Sequence, residues 1–163
     1  MFSEWINATQ TNHGLEHATI AVFIEKYGMQ TIAGRASNDG FYVLGDVDTS
    51  LLLECAKEAL HRMNNGKKEL AISTYCGTNI LITGALTTIF TSLSGYFYKH
   101  SNWLEKIMNA LTWSVLAVVL SQPIGCWIQK VATTNGKVEN IEITSIDEIS
   151  PMLRKVHTQW KKY

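Results

Sequence analysis

The chain of 163 residues has no net charge, since 14 Lys and Arg balance 14 Asp and Glu. Neither a basic nor an acidic excess is left over, which excludes the electrostatic footprint of a nucleic-acid binder. Cysteine is scarce. Cys55, Cys76 and Cys126 are odd in number and follow no spacing pattern, which argues against a disulfide framework and for a reducing compartment. The first ten residues lack the basic and apolar regions of a secretory signal and carry Glu4, Asn7, Thr9 and Gln10 instead. Membrane insertion would therefore rely on internal segments.

The most informative absence is local. No charged side chain occurs from Leu70 to Tyr98, a run of 29 residues, or from Ile107 to Gln129, a run of 23. Both exceed the roughly 20 apolar residues that cross a hydrocarbon core. The expectation is a transmembrane hairpin over residues 79–129, with spans at about 80–98 and 107–128. Gln122-Pro123 should kink or end the regular part of the second span, because proline lacks an amide donor. Small and polar residues such as Thr83, Gly84, Thr87, Thr88, Thr91, Ser94 and Gly95 favour close helix contact. Six Lys or Arg precede the hairpin and six follow it, against Lys99 and Lys106 in its turn. The positive-inside rule then places both termini in the cytoplasm.

The flanking segments, 1–78 and 130–163, read as a cytoplasmic α+β unit. A largely apolar helix begins near Thr11 or Asn12 as N-cap and ends at Tyr27-Gly28. Gln30 to Arg35 and Phe41 to Val47 form a hairpin about Ser37-Asn38-Asp39-Gly40. Asp48-Thr49-Ser50 caps a helix with Leu52, Cys55, Ala56, Ala59, Leu60 and Met63 on one face and a Glu58 to Arg62 pair on the other. Glu69 to Thr74 alternates as a third strand, and Val138 to Ile146 is a fourth that returns to the sheet. Ser150-Pro151 opens a last helix with Met152, Leu153, Val156 and Trp160 on one side, and with Arg154, Lys155, Lys161 and Lys162 about it. Such a basic amphipathic end suits an anionic membrane surface or simple docking. The fold class is thus α-β-β-α-β plus a C-terminal strand, interrupted by a two-helix transmembrane hairpin.

One stretch looks chemical. Asn12-His13-Gly14-Leu15-Glu16-His17-Ala18-Thr19 contains H-x-x-E-H, and residues three and four apart on a helix share a face. His13 and His17 can therefore point at one metal with Glu16 beside it. The motif resembles the inverted zincin motif of a peptidase group, in which two histidines bind zinc and the glutamate is general base. That pattern wants a further glutamate on a second helix; Glu54 and Glu58 read as solvent-facing, so the peptidase activity is not carried over. A catalytic zinc usually has three protein ligands. Cys76 is the leading third ligand, with Asp46, Asp48 and His61 behind it. Cys76 also supports a Cys/His nucleophilic site, since a thiol at a helix N-terminus has its thiolate favoured.

Together, Asn12 to Thr19, Asp39-Gly40-Phe41-Tyr42 with Gly45-Asp46-Val47, Cys76-Gly77-Thr78-Asn79 and Gln122-Pro123-Ile124-Gly125 resemble an uncharacterised family of small two-span bacterial membrane proteins, mainly cyanobacterial. The resemblance covers all but about the last fifteen residues, and Thr74-Tyr75 stand where relatives resemble a Pro-Asn pair. It implies an architecture and no activity. Three functions follow. The first is a membrane-surface pocket in which His13, His17 and Cys76 bind a metal such as zinc and Glu16 activates water. The second is a non-catalytic protein that self-associates or joins a larger complex in the bilayer, its histidines forming a hydrogen-bonded cluster. The third is a thiol enzyme using Cys76.

Overall fold

The structure is a computed structural model and describes residues 2–161. It has four long helices and one four-stranded antiparallel sheet. The chain divides into two compact units. One combines the residues up to Ser73 with those from Lys130 onward, and the other is Thr74–Gln129.

The first unit is the α+β part. Its helix α1 runs Phe2–Tyr27 and stops at Gly28, whose φ of 83° lies in the left-handed region that glycine occupies without strain. Strands β1 (Ala33–Ser37) and β2 (Gly40–Leu44) form the expected hairpin, with Ser37 opposite Gly40. Helix α2 (Thr49–Asn64) starts where its sequence says it should: Asp48 Oδ1 accepts from the amides of Ser50 and Leu51. Its apolar face, Leu52, Cys55, Ala56, Ala59 and Met63, is buried in one core with Leu15, Ala18, Val22 and Phe23 of α1 and Phe41 and Val43 of β2. The solvent face carries the Glu58–Arg62 pair at 2.7 Å.

Three expectations are corrected here. The first helix begins at Phe2, so Thr11 and Asn12 are interior residues rather than caps. Thr11 turns its hydroxyl back to the Asn7 carbonyl, one turn earlier in the same helix, instead of capping a helix start. Residues 69–74 do not form a strand; Lys68–Ala71 is a short 3-10 helix. The last segment is not a helix but strand β4 (Leu153–Trp160), so Arg154, Lys155 and Lys161 are not spread around an amphipathic cylinder. Lys162 lies outside the described residues.

The last two corrections have one cause. The sheet order is β1-β2-β4-β3, with β3 spanning Ile141–Ser150, so the place beside β2 is taken by β4. Phe41 faces Val156, and both are fully buried. A short apolar run satisfies helical and extended spacing equally, and here the open edge of a hairpin decides. The fourth expected strand does return to the sheet, as β3 at the edge.

The second unit is a hairpin of two apolar helices, α3 (Gly77–Phe97) and α4 (Trp103–Ile128). Both are long and apolar enough to cross a membrane, the second when counted on to Thr133. Pro123 does not end α4, which continues through Ile128 and passes into a π-helical turn, Gln129–Thr133. The helices are antiparallel: Gln129 bonds Asn79, Thr83 bonds Ser121, and Trp113 lies against Phe90 and Phe97. Of the small residues expected at the contact, Ser94 is buried, whereas Gly84 and Gly95 face open space. Thr87, Thr88 and Thr91 act within α3, where the hydroxyls of Thr88 and Thr91 bond carbonyls a turn back, Thr87 supplying one of them.

Candidate functional site

The H-x-x-E-H residues lie midway along α1 and inside the first unit. Glu16 and His17 are each 4% exposed and His13 is half-buried. The helical spacing does what it should, bringing the two imidazole centroids to 4.4 Å and one ring nitrogen of each within 4.8 Å of the other.

Each ring is held at Nδ1. His13 Nδ1 lies 2.8 Å from the Thr133 carbonyl, and His17 Nδ1 lies 2.8 Å from the Ala71 carbonyl. A carbonyl only accepts, so both Nδ1 atoms must carry the proton. In the neutral rings Nε2 then presents a lone pair. This is the arrangement found around metal-binding histidines, where the second nitrogen donates to a carbonyl and fixes tautomer and orientation.

The carbonyls come from the ends of two short helical segments. Ala71 ends the 3-10 helix, and Thr133 ends the π-helical turn. Gly14 lets the second segment close on α1, because a Cβ there would lie 2.7 Å from the Asn135 carbonyl and 3.0 Å from the Ala71 Cβ. Gly34 plays the same part for Glu16: a Cβ on it would lie 2.2 Å from Oε1. Asn12, 1% exposed, donates to the Ser37 carbonyl at 2.8 Å and accepts from Thr158 Oγ1 at 2.7 Å. It ties α1 to β1 and β4.

Cys76 belongs to the second unit. It is the N-cap of α3, 7% exposed, and its Sγ accepts from the Thr78 amide at 3.4 Å. An amide directed at sulfur suits the negatively charged form that ligates metals or attacks as a nucleophile. The other two cysteines lack this setting. Cys55 is in the core, where burial pushes its thiol pKa up, and Cys126 lies within α4.

The weaker ligand candidates are otherwise engaged. Asp48 is the α2 cap, its pKa held down chiefly by the hydrogen bond from the Ser50 hydroxyl. His61 Nε2 lies 2.8 Å from Asn65 Nδ2, and Asp46 is exposed. Glu54 and Glu58 pair with Lys26 and Arg62 at 2.7 Å, as expected for solvent-facing groups. Sequence reasoning missed the carbonyl partners, Asn12 as a tie between elements, and Gly34. A glycine within a strand pattern marks a close approach of backbone, and that was the available signal.

Comparison with known proteins gives a family without an activity. The sequence model of a family described as a domain of unknown function, DUF6391, matches residues 8–146. An uncharacterized protein of Picosynechococcus sp. is 26% identical over 162 residues, covering 91% of this chain and 78% of that protein. No solved structure matches.

Proposed function

The chain belongs to the DUF6391 family, whose function is unknown, and on that premise we propose that it is an integral membrane protein carrying a divalent-metal site of His13, His17 and Cys76. The observation that carries this reading is the pair of Nδ1 to carbonyl bonds at 2.8 Å, which orient two imidazoles with Nε2 available to a cation. Cys76 is the proposed third donor. Its sulfur takes an amide hydrogen bond, and it follows Ala71, the residue that anchors His17, by only five positions, a reach of at most about 18 Å of extended chain.

Two nitrogens and a thiolate suit zinc, and three protein ligands leave a position for water. A cation there would supply a water acidic enough to ionise near neutral pH. Glu16, buried on the same helix, is the proposed base for that water, which makes the finer form of the reading a hydrolytic one.

The membrane part rests on α3 and α4. Ile80, Leu81, Val115 and Val119 are each more than 60% exposed, and apolar surface of this extent on two long helices is suited to lipid. The proposed topology places both termini in the cytoplasm, with Lys99 and Lys106 in the opposite turn. Reporter fusions at the C-terminus and within residues 99–102 test it, and an exported C-terminus would overturn it.

A structural role is the second reading, favoured by one fact: the same two bonds tie residues 71 and 133 to α1. Elemental analysis separates the two. Tag-free protein purified with Cys76 reduced should hold close to one zinc or iron per chain, and His13→Asn or His17→Asn should hold none. A metal-free unmodified protein would end the metal reading.

A further inference from the structure

We infer that Asn79 is the positioning residue for Cys76, and that the Cys76–Asn79 segment and the pair Gly125 and Gln129 are two halves of one clamp closing on it. The inference rests on the metal reading for its consequence, though not for its geometry.

Asn79 is 2% exposed in a hairpin otherwise rich in apolar side chains. Its contacts bracket the thiol-bearing residue. The side chain reaches back past Cys76, Nδ2 donating to the Thr74 carbonyl at 3.0 Å, and the backbone amide donates to the Cys76 carbonyl at 2.9 Å. Residues 74–79 are thus closed into a ring by one side chain. The other face of the amide is held from just past the end of α4: Gln129, fully buried, donates Nε2 to Asn79 Oδ1 at 2.8 Å. That bond fixes which end of the amide faces Thr74, because the oxygen must face the Gln129 donor.

Gly125 completes the clamp. A Cβ there would lie 2.0 Å from Asn79 Oδ1, so only a bare backbone lets the amide lie where it does. A buried amide satisfied on both ends is costly to move, and a ring closed about Cys76 leaves its sulfur little freedom. Groups that orient a ligand from behind are worth roughly 10–100-fold in metal affinity. Ser121, whose hydroxyl accepts from Thr83 Oγ1 at 2.7 Å and donates to the Val118 carbonyl, joins the same two helices one turn further along and provides a control, since removing it leaves the Thr83 bond to the Asn79 carbonyl at 2.8 Å in place.

The test uses the full chain in detergent with two readouts. Cobalt(II) reports Cys76 ligation through its thiolate charge-transfer band, and peptide-resolved mass spectrometry follows alkylation of Cys76. Asn79→Ala and Gln129→Ala should each lower cobalt affinity by roughly 10–100-fold, weaken the band and speed Cys76 alkylation several-fold. Ser121→Ala should leave all three unchanged. Should Asn79→Ala not fold, Gln129→Ala carries the test, since it keeps Asn79 and removes the donor that orients it. Alkylation at the unmodified rate in a folded variant overturns the inference, as does an equal response of Ser121→Ala. If the unmodified protein takes up no cobalt while the alkylation pattern holds, the metal reading fails and the positioning role stands.

Discussion

A Cβ added to Gly34 would lie 2.2 Å from Glu16 Oε1, so β1 crosses the buried carboxylate with bare backbone. Gly34→Ala must displace either a 4% exposed carboxyl group or a strand in register with Val43. Overpacking of this kind costs about 1–3 kcal/mol. Denaturant unfolding should show that loss, whereas Gly77→Ala, with nothing within 4 Å of its added carbon, should unfold as the unmodified protein does. Equal stability of the two variants would remove the close approach.

The tautomer argument separates metal binding from folding at His17. Asparagine places an amide donor near the Nδ1 position and nothing at Nε2, so His17→Asn can keep the bond to the Ala71 carbonyl. His17→Ala strands that carbonyl at a cost of about 1–3 kcal/mol. The expected pattern is loss of metal in both variants and loss of stability mainly in the alanine one, read by elemental analysis and thermal melting. Metal retained in His17→Asn would remove Nε2 from the ligand set.

Asn12 should matter for stability and not for metal. Asn12→Ala leaves the Ser37 carbonyl and the Thr158 hydroxyl without their buried partner, a loss of about 1–3 kcal/mol by equilibrium unfolding. Metal content in the fraction that remains folded should be unchanged. A stability change below experimental scatter would show that solvent replaces both bonds.

Asp39 and Lys155 bring a pH dependence with a definite sign. The hydrogen bond from Lys155 holds the Asp39 carboxyl below its ordinary 3.8, and the same contact raises Lys155 above 10.5. The Asp39 contribution is present above pH 3.8 and is lost as pH falls through the lower folded value; the Lys155 contribution is present below pH 10.5 and is lost as pH rises through the higher one. Asp39 is half exposed, so solvent screening limits the pair to about 1 kcal/mol. Asp39→Asn should melt lower than the unmodified protein near neutral pH and match it in strong acid. A gap that widens with acid would reverse the sign.

The elements legible in the sequence are those whose signals are local. Asp48 caps α2 because an acceptor beside bare amides needs no other part of the chain, and the α2 face repeats often enough to leave no other reading. The pairing of His13 with His17 is equally local, since helical geometry alone sets four-residue neighbours together. Residues 68–74 and 153–160 were not legible. Each is a short run with mixed spacing, and which one becomes a strand depends on which reaches the free edge of β2.

By itself the sequence determined the two apolar helices, the helical placement of His13, Glu16 and His17, the β1–β2 turn and the α2 cap, because charge-free length and residue spacing act within a single element. Only the tertiary structure decided that β4 lies between β2 and β3, and that the imidazoles are tied to carbonyls 120 and 54 positions away. It also decided that Asn79, Gly125 and Gln129 meet. Backbone carbonyls leave no trace in residue identity, and a glycine signals only that something comes close; what comes close is settled when distant segments compete for the same buried space.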